Sequence, residues 1–505
     1  MIKSTFTARS FSLMTLGLAL MTGCSKEEIQ VSDVAAQASR SNLAEATAQG
    51  VVRRSHEYII LSATDALPAD LASKTAAANG KLTTELPGTG LAIATSTDPD
   101  FAAKASRISG VRSVIHDFSY QGYNPVSARE TPALNESDNT NPASTGDNDR
   151  FFPLQWGHTA IQAPEAWNAG ARGRGALVAV LDGGFDLTHP DLQANIQESV
   201  SYVPGEPAQF ASTAFSHGTH TAGTIAAVDN TIGVVGVAPD AKLLLVKVLA
   251  DGGRGSFSWM IQGIYYAVAH NADVINMSLG AAIPRNSKYL DDNGTPDDPS
   301  DDKVVNETKE IQELLVAIGK ATTYANKKGT TVIASAGNDA NNGQRDQDLV
   351  HIPSGATGVI SISATGPIGW ALNPLTADLD RVASYTNYGT SDVDFAAPGG
   401  DAEYPGNEIV TVAGVRQYAF AFDMVFSCTS AGRYSWSAGT SMAGPHAAGV
   451  AALIVGKNGG QMAPAQVRAV LRASADDLGK TGRDPYYGYG RVNAYRAVTT
   501  GFQAQ

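Results

Sequence analysis

Gly439-Thr440-Ser441-Met442-Ala443-Gly444-Pro445 hands a serine to an apolar stretch, His446 to Val455, that reads as a helix. A hydroxyl at a helix start stands beside backbone N–H groups that lack intrahelical partners, at the positive end of the helix dipole. That setting steadies an oxyanion, and the serine becomes a nucleophile once a base reaches it. Pro445 fits a first helical turn. Three further segments supply what such a serine needs. Ser216-His217-Gly218-Thr219-His220 offers His217 as the base, among small residues that let backbones approach closely. The apolar run Ala176 to Leu181 ends on Asp182 and reads as a buried parallel strand. Open α/β sheets place their ligand crevice beyond the carboxyl ends of such strands, where Asp182 would stand. Thr330 to Ala334 is another apolar strand, running into Ser335-Ala336-Gly337-Asn338, whose side-chain amide can donate to an oxyanion.

Each residue alone has a plainer reading. A serine at a helix start commonly caps it, and a strand-end aspartate commonly caps a turn. A histidine among glycines is commonly a structural hydrogen-bonder. The order Asp182, His217, Asn338, Ser441 is harder to explain that way. With His189-Pro190-Asp191-Leu192, Gly236-Val237-Ala238-Pro239, Asn276-Met277-Ser278-Leu279-Gly280 and Phe395-Ala396-Ala397-Pro398-Gly399, it resembles the subtilisin-like serine proteases over most of 151–498.

The resemblance implies a peptide-bond hydrolase with Asp182, His217 and Ser441 as its triad and Asn338 as oxyanion donor. It implies substrate-pocket walls at Ser278, Leu279 and Gly280 and at Ser335, Ala336 and Gly337. It also implies a structural Ca²⁺ site from Asp191, Asn230 and the carbonyls of Val228, Ile232 and Val234, oxygen donors of the kind calcium takes. The family's glutamine ligand near the mature N-terminus has no match; Asp147 or Asp149 is the replacement considered. No redox or organic cofactor is implied. His220 and His446 are expected to be structural, and His351 a loop histidine near the pocket floor.

At 505 residues, two to three folded units are expected. A net charge of −13 argues against a nucleic-acid partner. Two cysteines, Cys24 and Cys428, exclude a disulfide framework. Residues 1–23 have a basic start and a short apolar core ending in Leu20-Met21-Thr22-Gly23-Cys24, similar to a bacterial lipoprotein signal with Cys24 acylated. An ordinary secretory signal is the alternative. Export, with a lipid anchor at the outer membrane or cell surface or else secretion, is the expected location.

Residues 24–52 read as a tether. Residues 53–120 carry a βαββαβ pattern, a small α+β ferredoxin-like domain. Its place before the protease-like part suggests an inhibitory propeptide, the intramolecular partner of a monomeric enzyme. The polar stretch 121–150 reads as a linker holding the processing site. Residues 151–505 are expected to form the catalytic domain, an α/β doubly wound, mostly parallel sheet. An acidic insert, Asp291 to Asp302, reads as a solvated mobile loop.

The expected function is a serine endopeptidase, acting on proteins or peptides and exported as a self-processing zymogen. An α/β-hydrolase esterase is disfavoured because the serine motif lacks that fold's second glycine. A non-catalytic surface binding protein on a protease fold is the remaining alternative.

Overall fold

The computed structural model describes residues 51–122 and 147–500, apart from 286, 287, 296, 297 and 299. Cys24, the leader, nearly all of the tether and most of the linker lie outside the described residues. In the N-terminal part, β1 (Val51–Ser62), β2 (Lys81–Leu86), β3 (Leu91–Thr95) and β4 (Val111–Gln121) interleave with helices Leu71–Ala77 and Phe101–Ala105. This is the βαββαβ order. β1 runs antiparallel between β3 and β4, and β2 flanks β3. Strand alternation divides the side chains between two faces. Tyr58 and Ile60 pack with Leu71 and Phe101 of the small helices. Ile59 and Leu61 belong instead to the apolar cluster built around helices Phe257–Ala269 and Thr308–Lys327.

The following strands are β5 (Leu177–Asp182), β6 (Ile196–Ser201), β7 (Lys242–Lys247), β8 (Arg254–Ser256), β9 (Val274–Met277), β10 (Ala281–Pro284), β11 (Lys288–Asp291), β12 (Lys303–Asn306), β13 (Thr331–Ser335), β14 (Leu349–Ile352), β15 (Val359–Thr365) and β16 (Phe395–Pro398). Seven make one parallel sheet in the order β16-β15-β13-β9-β5-β7-β6. Its central strands are covered on both faces and are mostly apolar, and every residue of β5 is buried, whereas the edge strand β6 is polar and partly exposed. Val178 and Val180 face the cluster of helices His217–Ala226 and Thr440–Lys457, whereas Ala179 and Leu181 face helices Phe257–Ala269 and Thr308–Lys327. The doubly wound α/β architecture follows. β5 pairs with β7 on one side and β9 on the other, so its carboxyl end sits where the strand order reverses.

Two expectations change. The serine helix begins at Thr440, which puts Pro445 inside the helix rather than in its first turn. The acidic insert is a loop held at its start: it connects β11 to β12, an antiparallel pair, β11 adds in parallel to β1, and Asp292 is buried. Backbone pairing to the N-terminal sheet supplies the order that the local composition lacks.

Candidate active site

Asp182 closes β5 with its carboxylate fully buried. Oδ1 accepts from Gly183 N at 2.7 Å and from His217 Nδ1 at 2.8 Å, and Oδ2 accepts from Thr221 Oγ1 at 3.2 Å. These donors hold the carboxylate in place, and it in turn orients the imidazole. His217 opens helix His217–Ala226 after Ser216, whose hydroxyl accepts from Thr219 N at 3.2 Å and donates to Gly184 O at 2.8 Å. Gly218 lets the helix approach the Asp182 turn: a Cβ there would lie 3.0 Å from the carbonyl oxygens of both Gly183 and Gly184. With Nδ1 donating to Asp182, the neutral ring carries its lone pair on Nε2.

Ser441 is the second residue of helix Thr440–Lys457. Its hydroxyl donates to Ser278 O at 3.2 Å, while Ser278 Oγ donates to Ser441 O at 2.7 Å. Asn338 follows β13, and its Oδ1 accepts from Thr440 N at 2.9 Å and Thr440 Oγ1 at 2.8 Å. The amide oxygen is thereby turned onto Thr440, and the NH₂ end is aimed elsewhere. A Cβ built on Gly439 would lie 3.5 Å from Asn338 Nδ2 and 3.6 Å from Ser441 N. Two N–H donors thus border one small space that glycine leaves open.

Gly280 and Gly337 are close-packed against neighbouring segments. A Cβ on Gly280 would lie 2.5 Å from Ile352 O, and one on Gly337, at φ +105°, would lie 2.3 Å from Asn387 Nδ2. Leu279 and Ala336 are buried, as is Ser335. A cavity of about 470 Å³ is lined by Ala336, His351, Ser354 and Asn387. His351 is not a loop residue: it lies in β14, paired with Ala282 of β10. Burial lowers its proton affinity, against the nearby carboxylates of Asp339 and Asp392.

Between the two cleft edges runs the chain's own N-terminal part. Ser119, Tyr120 and Gln121 pair antiparallel with Ser256, Gly255 and Arg254. Gly122 N then donates to Gly253 O at 2.8 Å, and Gly280 N donates to Gly122 O at 2.7 Å. The sequence reading missed this Gly253–Ser256 edge, together with the supporting Thr221, Thr440 and Asn387. The glycines of 252–255, just ahead of an apolar helix, were its only visible signal.

His220 and His446 are core residues. His220 Nε2 faces the carbonyl oxygens of Val425 and Ser435, and burial pushes its pKa down to about 3. His446 is lowered to about 4 by burial and meets Met442 O through Nδ1. Cys428 is buried, which raises its thiol and leaves it packing rather than reacting.

Of the calcium candidates, Asp191 and Asn230 come together. Asp191 Oδ1 accepts from Asn230 Nδ2 at 3.2 Å and Oδ2 from Val234 N at 2.9 Å. Asp149 Oδ1 accepts from Asn230 N at 3.3 Å and holds Thr231 N, while its buried Oδ2 has no hydrogen-bond partner among the described residues. Burial and then the charge of Asp147 push Asp149 up to about 8. Asp147, Asp149 and Asp229 offer oxygens within 4.8 Å of one another. An orphaned buried carboxylate oxygen amid acidic neighbours fits a hard divalent cation.

The model of the subtilase family matches residues 173–490. Subtilisin NAT of Bacillus subtilis subsp. natto is 35% identical over 345 residues, 68% of this chain and 71% of that protein. An intracellular serine protease of Paenibacillus polymyxa is 37% identical over 297 residues, 58% and 70% of the two chains. Among solved structures, a lanthipeptide protease matches with a TM-score of 0.53 at 29% identity, covering 69% of this chain and 94% of its own. The epidermin leader peptide processing serine protease of Staphylococcus aureus shares the fold, with a TM-score of 0.65 at 20% identity over 89% and 98%. The chain belongs to the subtilase family. It is a subtilisin-like serine endopeptidase, a hydrolase of peptide bonds.

Proposed function

We propose that Ser441 is the nucleophile and His217 its general base. His217 Nε2 takes the hydroxyl proton as Ser441 Oγ attacks the peptide carbonyl, and Asp182 stabilises the imidazolium. Asn338 Nδ2 and Ser441 N donate to the oxyanion; their convergence on one space is the observation that carries the assignment. The imidazolium returns its proton to the leaving amine, and water, deprotonated by His217, releases the acyl group. Ser278 to Gly280 and Ser335 to Gly337 form walls for the substrate. A fluorophosphonate probe is expected to label Ser441; an unlabelled but folded protein would favour the binding-protein reading.

The first substrate is the chain itself. Residues 119–122 occupy the cleft as an added strand, the mode in which extended peptides bind sheet edges. The cut falls just past Gly122, at the start of linker 121–150, and domain 53–120 remains as an inhibitor until it leaves. Intact mass is expected to show a mature N-terminus a few residues beyond Gly122, and an uncut Ser441→Ala chain.

Asp191, Asn230 and Asp149, with the carbonyls of Val228, Ile232 and Val234, hold a structural Ca²⁺ that ties the start of the catalytic domain to the loop. Chelation is expected to lower Tm and added calcium to restore it. Cys24 carries the lipid anchor of an exported protein. Labelled fatty acid entering wild type but not Cys24→Ser checks that.

A further inference from the structure

β1 does not keep one ladder along its length. Its pairing with β4 slips between Arg54 and Tyr58, which leaves Ser55 to Glu57 outside that ladder. The acidic insert fills this gap. Asp292 Oδ1 accepts from Ser55 N at 3.0 Å and from Ser55 Oγ at 2.7 Å. β11 lies parallel to β1 with Val52 opposite Leu290 and Arg53 opposite Asp291, and Asp292 N donates to Arg53 O at 3.1 Å. The side chains of Arg53 and Asp291 form a partly buried ion pair. Tyr289 is 1% exposed, and its ring meets Phe118 of β4 edge-to-face at 4.9 Å. The two strands that flank the insert, β11 and β12, thus join the N-terminal sheet, and the first residues of the insert tie down its β1.

We propose that the acidic insert is a retention clamp, which holds the N-terminal domain on the protease after the connecting bond has been cut. This rests on the self-processing reading above. The strand through Gly122 is held by Gly253 and Gly280, so cutting beyond it frees its carboxyl end, whereas the β1–β11 pairing involves other residues and survives. The acidic composition suits a second task. Once the domain departs, β11 becomes an open strand edge, and Asp291 and Asp292 put charge on it, a device that discourages edge-to-edge aggregation.

The test uses the full chain after self-cleavage, followed by size-exclusion chromatography over time. The wild-type N-terminal fragment is expected to co-elute with the protease. Arg53→Asp and Asp291→Arg should each shorten retention by about tenfold or more, and the double exchange should restore part of it, since a carboxylate at position 53 would still face Glu310 and Glu307. Equal retention in all four chains would overturn the clamp. So would failure of the exchange to restore retention while both single variants lose it. Hydrogen exchange in the uncut Ser441→Ala chain gives an independent reading. Protection at Leu290 and Asp292 should fall in Ser441→Ala/Arg53→Asp, and unchanged protection would again overturn it. Should wild type never cut itself, the self-processing reading fails, and this exchange measurement still decides whether the insert grips the domain.

Discussion

Ser278 and Ser441 are joined by two reciprocal hydrogen bonds: Ser278 Oγ donates to Ser441 O at 2.7 Å, and Ser441 Oγ donates to Ser278 O at 3.2 Å. The first of these depends on Pro445. In an unbroken helix the residue at 445 would donate its N–H to the carbonyl of 441, and proline has none to give. The carbonyl of Ser441 is therefore satisfied from a neighbouring segment, which ties the serine helix to the chain at Ser278.

Ser278→Ala should leave that buried carbonyl without its donor, at a cost of about 1–3 kcal/mol. Pro445→Ala supplies an N–H to the same oxygen, so the penalty of Ser278→Ala should shrink in that background. A double-mutant cycle by urea unfolding measures the coupling. Additive effects would show that the two residues do not share the carbonyl.

On the proposed mechanism Asn338 has two duties, as oxyanion donor and as acceptor for Thr440, that different substitutions separate. Asn338→Leu removes the oxyanion donor and the acceptor of Thr440 together, whereas Asn338→Asp keeps oxygen toward Thr440. Both should lower kcat by at least about 10²–10³ with little change in KM, the scale known for the corresponding amide of subtilisin itself. The leucine variant should also be the less stable. Steady-state kinetics beside thermal melts distinguish the two losses; a leucine variant with unaltered kcat would remove Asn338 from the oxyanion site.

Met442 is fully buried, and its Sδ would lie 3.8 Å from a Cβ on Gly439, beside the same space that Asn338 Nδ2 and Ser441 N border. Oxidation adds a polar oxygen there. Peroxide is expected to lower kcat in step with sulfoxide at Met442 measured by peptide mass, and Met442→Leu should resist. Full activity with Met442 oxidised would place the sulfur away from the reacting atoms.

The strands and helices around Asp182 and His217 were legible because they are local: an apolar run ending on a carboxylate, then small residues ahead of a helix. Asp182 and His217 are indeed hydrogen bonded. What eluded the sequence is long-range. Thr440 turning the Asn338 amide, and Ser278 answering Pro445, join segments far apart in the chain, with no periodicity to announce them. The acidic insert misled for the opposite reason. Its composition describes a solvated loop, but its order comes from β1, more than two hundred residues earlier.

Asp117 makes the docking of the N-terminal domain depend on pH. It projects from β4 and accepts from Phe118 N at 2.8 Å and from Ser258 N, in the first turn of helix Phe257–Ala269, at 3.1 Å; Ser256 Oγ donates to its other oxygen. Burial pushes its pKa up to about 6 even so, with Glu57 adding to the rise. Once the domain leaves, the carboxyl is exposed and returns to about 3.9. The docked form therefore holds the proton more tightly. This contribution is fully present below about pH 4, is lost as pH rises through about 6, and is constant above that. Glu310 and Glu313 face β4 from helix Thr308–Lys327 through His116 and Arg112, and their lowered carboxyls act in the reverse sense at lower pH. Comparing variants isolates Asp117. The self-cut wild-type complex should dissociate more readily at pH 7 than at pH 5, by at most about tenfold. Asp117→Asn should flatten that difference, and an identical pH slope in both chains would show that Asp117 does not titrate on docking.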